Sequence, residues 1–157
     1  NLRVMEKHGV LSRIEMQSHY EIALENYIKT INIEAMTMLE MAKRQILPAV
    51  IRYASELAGS INRITATGLD IDISAQTELL PAVSLLTASF KDNIAILEST
   101  VEEAAAMHEE TYAQAYFYRY DVTEKMGMLR ADADKLETMV DSKLWPIPTY
   151  GDMLFNI

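Results

Sequence analysis

A single row of apolar residues limits what this chain can fold into more than any other feature. Apolar side chains stand at positions 20, 24, 27, 31, 35, 38, 42, 46, 49, 53, 57, 61 and 64, so twelve steps span 44 residues. The mean step of about 3.67 is a helical period, closer to an 11-residue repeat than to a heptad. It predicts straight or slightly right-handed packing. Ser12 and Glu15 mark the start as a capping box, in which each side chain satisfies the other's orphan backbone donor. Leu11 and Met16 occupy the two positions of a hydrophobic staple. Gly68 ends the run and suits a left-handed cap. A helix over residues 12–67 is about 84 Å long at 1.5 Å per residue. Pro48 removes one internal hydrogen bond, yet the apolar register continues through it, so a kink is expected rather than a stop. A short helix over residues 1–8, ended by Gly9, precedes the rod.

Two further seams follow. Val83, Leu86, Phe90, Ile94, Leu97, Val101 and Ala104 form the second, on a helix expected from about Thr77 with Pro81 near its first turn. Ala115, Tyr118, Val122, Met126, Leu129, Ala133, Leu136 and Val140 form the third. Neither Gly nor Pro separates these two seams, but Thr111 and Gln114 form a possible second capping box, which favours a break near residue 110. Gly127 costs its helix about 1 kcal/mol relative to Ala. The expected fold is all-α: an antiparallel bundle of three to four long helices with a long kinked first helix. Residues 1–143 make the bundle domain and 144–157 an extended, Pro-rich tail. Pro146 and Pro148 keep that tail extended. Trp145, Tyr150 and Phe155 are costly to leave in water, so the tail is expected to lie against a surface, its own bundle's or a partner's.

Composition removes several functions. At 157 residues the chain suits one domain, and a net charge of −9 repels phosphates, which argues against nucleic acid and anionic membranes as partners. The absence of cysteine excludes disulfides, thiolate metal sites and a Cys nucleophile, and fits a reducing, cytoplasmic setting. No run of 18 apolar residues is present, so no bilayer-spanning segment is expected. The chain opens at Asn1 with charged residues and without an initiator Met, so no signal peptide and a longer parent are both expected.

No catalytic constellation emerges. A bundle rich in Glu invites a di-iron site, which needs a Glu-x-x-His pair on each of two helices. The residues three before His8, His19 and His108 are Met5, Met16 and Ala105, so that signature fails. Glu15 and His19 share a helix face and read as a solvated pair. There is no phosphate loop, and His108 lacks the second His of a helical zinc motif. Met36, Met38 and Met41 read first as adaptable core fillers and second as a soft binding surface. Tyr112, Tyr116 and Tyr120, spaced by four, form a stripe turned away from the third seam. Either residues 48–67 cover this stripe, or another domain or subunit does. Glu25 with Lys29, Glu40 with Arg44, and Asp121 with Lys125 are expected as surface i,i+4 pairs.

Several strings, in order, carry a family resemblance. They are His19-Tyr20-Glu21-Ile22 leading to Glu25-Asn26-Tyr27, Thr30 to Met38, Gln45-Ile46-Leu47-Pro48-Ala49-Val50, Leu129 to Glu137, and Leu144 to Phe155 with its Trp-Pro-x-Pro-Thr-Tyr-Gly-Asp run. The ordered set resembles the C-terminal region of type III glutamine synthetases. Two positions depart from the pattern: His19, where Arg is expected, and Thr123-Glu124-Lys125, where a Pro-containing run is expected. The resemblance implies a parent enzyme that joins glutamate and ammonia with ATP and divalent metal ions, and that assembles into large homo-oligomeric rings. It places the metal-binding glutamates, the ATP pocket and the ammonia site upstream of this region. No catalytic, cofactor or metal residue is therefore expected in this chain. Its expected partners are the parent's catalytic domain and neighbouring subunits. The candidate docking residues are Tyr112, Tyr116, Tyr120, Trp145, Pro146, Pro148, Tyr150 and Phe155. The alternatives are a free-standing helical adaptor and, less consistent with the residues, a metalloenzyme built on bundle Glu and His.

Overall fold

The computed structural model describes residues 2–107, 111–148 and 153–154, with side chains from Val4 onward. Helix α1 (Leu2–Lys7) is closed by Gly9, whose φ of 63° is the left-handed conformation that glycine adopts without steric cost. Ser12 then caps α2 (Arg13–Met41): Glu15 N–H donates to its hydroxyl, and Ser12 N–H donates to Glu15 Oε2 at 2.7 Å. The Ser12 backbone N–H, and after it the Ser12 hydroxyl beside the carboxylate, hold the Glu15 carboxyl below its ordinary pKa. Glu15 is thereby committed to the cap.

The rod continues past Met41 through a π-helical turn, Ala42–Ile46, into α3 (Leu47–Thr65). Leu47 N–H donates five residues back to Ala42 rather than four. Pro48 follows immediately. In an unbroken α-helix its ring would press on the carbonyl of Arg44, four residues earlier. The wider turn just ahead of the proline accommodates it without ending the helix, so the expected interruption is present in a different form. Gly68, at φ 69°, closes the turn after α3.

Helix α4 (Ser74–Ala106) starts about three residues earlier than the sequence suggested, because Asp72 Oδ1 accepts the Ser74 N–H and stabilises the entry. Pro81 consequently sits inside the helix rather than in its first turn. The chain then breaks as expected: α4 ends at Ala106, and α5 (Thr111–Phe117) leads through a second π turn, Tyr118–Val122, into α6 (Thr123–Met139). The proposed second capping box resolves differently. Gln114 Nε2 donates back to the Ala104 carbonyl, so it caps the end of α4 and not the start of α5.

The assembly is an all-α bundle with no strand among the described residues. Helix α4 lies centrally, against α3 along one side and α6 along the other. Cross-links fix the directions. Lys43 pairs with Glu98, while Gln114 reaches Ala104 and Asp132 reaches Ser89 and Asn93, so α4 runs antiparallel to α6. Tyr118 donates its hydroxyl to Asn32 Oδ1 at 3.1 Å, fastening the second π turn to α2. Helix α4 is also long and apolar enough to meet the length and composition criterion for a bilayer crossing. Its apolar seam is nonetheless directed inward: Val83, Phe90, Ile94, Leu97, Val101 and Ala104 are all buried.

The core follows the second and third seams closely, but the first only between Ala35 and Ala49, with some additions. Leu39 and Val50 are buried beside the first seam, widening it to the broad stripe that a globular helix needs. Asp132 is the one buried charged side chain among the described residues. It accepts hydrogen bonds from Ser89 Oγ at 2.7 Å and Asn93 Nδ2 at 2.8 Å, with Lys135 Nζ at 3.9 Å. These charge-assisted bonds join α6 to α4 and offset the desolvation of the carboxylate. Replacing Asp132 with Ala removes the acceptor of both hydrogen bonds, and urea titration should show a loss of about 2 kcal/mol.

Candidate docking surfaces

Two of the sequence-derived surfaces are separate in space and differ in character. The tyrosine stripe arises because α5 places Tyr118 inward and its neighbours outward. Tyr112, Tyr116 and Tyr120 are 64%, 55% and 56% exposed, so residues 48–67 do not cover them; that segment packs on α4 instead. The rings of Tyr116 and Tyr120 lie 4.4 Å apart at 42°, forming a preassembled aromatic plate. Such a plate offers a large contact area with little side-chain entropy left to lose, and its hydroxyls tolerate a half-wet interface. Tyr118, on the opposite side of the same segment, is buried, and desolvation raises its pKa. A tyrosine in an unfolded chain ionises at about pH 10. Because the unfolded chain releases the Tyr118 proton more readily than the folded one, stability should fall as pH rises beyond that value. Ultraviolet titration of the phenolates alongside circular dichroism reads both events.

The tail, in contrast, folds back on its own bundle. Trp145 is buried and joins the core cluster, with Leu144 and Ile147 half-buried against it. Asp141 initiates this return: its carbonyl accepts the N–H groups of Leu144 and Trp145, and its carboxylate accepts that of Lys143. Pro146 and Pro148 are exposed. Of the candidate docking residues, Trp145 is thus occupied within the chain, while Pro146 is exposed and Pro148, also exposed, lines the groove that the tail borders. Tyr150 and Phe155 lie outside the described residues.

The returning tail closes one side of a groove of about 710 Å³ between the first rod and α6. Met38 and Met41, two of the three methionines singled out in the sequence, line this groove together with Met126, while Met36 is exposed. A further unpartnered surface was not read from the sequence. The first five turns of α2 bury no side chain fully, and Ile14, Tyr20 and Ile22 stand exposed there. The mean helical period could not reveal this, since it registers an apolar face whether or not something covers it.

Surface ion pairs follow the sequence at Glu25–Lys29 and Glu40–Arg44. Lys125 instead pairs with its neighbour Glu124 rather than with Asp121. Among the described residues no group of three or more His, Asp and Glu side chains converges in a way that could hold a metal ion.

Comparison with known proteins gives these surfaces a context. A family model described as the glutamine synthetase C-terminal domain matches residues 1–65. A glutamine synthetase from Butyrivibrio fibrisolvens is 31% identical over 158 aligned residues, covering all of this chain and 22% of the relative. A type-3 glutamine synthetase from Dictyostelium discoideum is 27% identical, covering 99% of this chain and 22% of its own length. A glutamine synthetase from Bacteroides fragilis is 23% identical, covering 94% of this chain and 21% of its own. The chain spans about a fifth of the length of the curated relatives it matches.

Proposed function

We propose, starting from a chain that is a C-terminal domain of the glutamine synthetase family, that its role is structural: it packs on the catalytic part of a longer enzyme and on neighbouring subunits. The observation that carries this reading is the lopsided coverage. The alignments take in 94% or more of this chain but at most 22% of each relative, leaving most of the relative for other work. In this reading the parent enzyme joins glutamate and ammonia with ATP and divalent metal, in the cytoplasm, and the chemistry resides outside these residues. The bundle supplies rigidity, and its exposed aromatic plate supplies an interface. Aromatic side chains at the centre of an interface commonly dominate its energetics.

Replacing Tyr112, Tyr116 and Tyr120 together with Ala in the full-length protein should shift the assembly toward smaller species in size-exclusion chromatography. The helical circular dichroism of the domain should remain unchanged, because none of the three side chains is buried. An assembly of unaltered size would remove the stripe from the interface. Calorimetric titration of this chain alone with Mg-ATP should give no binding heat; tight binding would overturn the non-catalytic reading.

A further inference from the structure

The groove beneath the returning tail is unlike the rest of the surface. Its floor is apolar and methionine-rich, with Met38, Met41 and Met126 beside Leu129 and Trp145. Methionine is unbranched and polarisable, so such a floor adapts to differently shaped apolar anchors. The rim carries Glu34, Asp134 and Glu137 against a single cation, Arg130. That guanidinium already stands 3.6 Å from Asp134, and neither Glu34 nor Glu137 forms an ion pair among the described residues. The indole N–H of Trp145 is buried and meets no acceptor among the described residues.

We propose that this groove docks a basic amphipathic helix of a protein partner, seating large apolar side chains on the methionine floor and Lys or Arg against Glu34 and Glu137. Charge selects this occupant over the others. A second copy of the chain carries −9 and would bring like charge to an acidic rim. Met153 of the chain's own end already lines one edge of the groove, but residues 149–157 contain Asp152 and no Lys or Arg, so that end offers nothing to those carboxylates. The lining on the first rod runs from Ile33 to Ile46, which is about 20 Å, or close to four turns of a docked helix. Helices that bind grooves in this manner present anchors at i, i+3 or i+4 and i+7. The proposal is independent of the tyrosine stripe and of the assembly.

A synthetic amphipathic helix of leucine and lysine is the probe, and Trp145, the sole tryptophan of the chain, is the reporter. Titration should shift the tryptophan emission and saturate at one peptide per chain. The exposed pair E34K/E137K should weaken binding roughly tenfold or more while leaving the helical circular dichroism unchanged. A133F, which adds bulk where Ala133 lines the groove, should weaken it without altering rim charge. Equal affinity for E34K/E137K, or equal affinity for a scrambled peptide of the same composition, overturns the proposal. So does displacement of the probe by a peptide of residues 149–157, which would seat the chain's own end in the groove. A concentration-dependent dimer abolished by E34K/E137K would seat a second copy there and overturns it equally.

Discussion

Truncating Phe90 to alanine should lower the free energy of unfolding by about 3–5 kcal/mol. The ring is wholly buried on α4, the helix that packs on both α3 and α6. Its removal therefore forfeits transfer energy and leaves a cavity whose walls belong to several helices. Those walls are joined by the bonds of Asp132 to Ser89 and Asn93, one residue before Phe90 and three after it. They resist collapse, which places the cost toward the upper part of the range. Small domains are stable by only about 5–15 kcal/mol in all, so a large share of the fold's stability depends on this residue. Leu85, on the same helix but 76% exposed, is the internal control. Leu85→Ala should stay within about 0.5 kcal/mol of the parent. Urea unfolding followed by circular dichroism measures both, and a Phe90 variant within about 1 kcal/mol of the parent would mean that α4 is not the organising helix.

Much of this architecture could be read from residue spacing because packing on a helix is periodic. The seam positions Val83, Phe90, Ile94, Leu97, Val101 and Ala104 are buried as their spacing required. Asp132 could not be read in this way. A carboxylate at the edge of a seam normally denotes a solvated face, and only its neighbours across the helix pair, Ser89 and Asn93, make burial tolerable. The tyrosine stripe was legible as a second apolar face, but not what covers it, since a helical period carries no information about the neighbour. The tail was legible as surface-seeking; that Trp145 seeks its own bundle depends on the turn at Asp141, which brings the indole back toward the core.

The period of the first row also held a subtler record. Twelve turns of an ideal helix take about 43.2 residues, whereas the row spans 44. The excess of about 0.8 residue is close to the one residue that a π turn inserts. Spread evenly along the row, that excess reads as a period close to an 11-residue repeat, with straight or slightly right-handed packing. The structure places a π turn at Ala42–Ile46 within the row, which accounts for the excess locally and removes the reason to expect a right-handed supercoil.

That comparison yields the second large expected effect. The two π turns are equivalent in their hydrogen bonding: Leu47 N–H donates to Ala42, and Thr123 N–H donates to Tyr118. Pro48 is the second residue after the first turn, and Glu124 is the second residue after its counterpart. A proline at Glu124 therefore meets the backbone environment that already accommodates one at Pro48. Glu124→Pro should cost about 1 kcal/mol or less, with the exposed Glu124–Lys125 pair contributing little to the difference. Met128→Pro, one turn further along α6 and clear of the π turn, should cost about 3 kcal/mol or more. There the ring removes a regular hydrogen bond and presses on the Glu124 carbonyl. Both side chains lie outside the core, so the contrast isolates the backbone. Thermal unfolding of the two variants side by side decides it. If Glu124→Pro is as damaging as Met128→Pro, the wide turn gives α6 no tolerance for proline and the equivalence of the two turns fails.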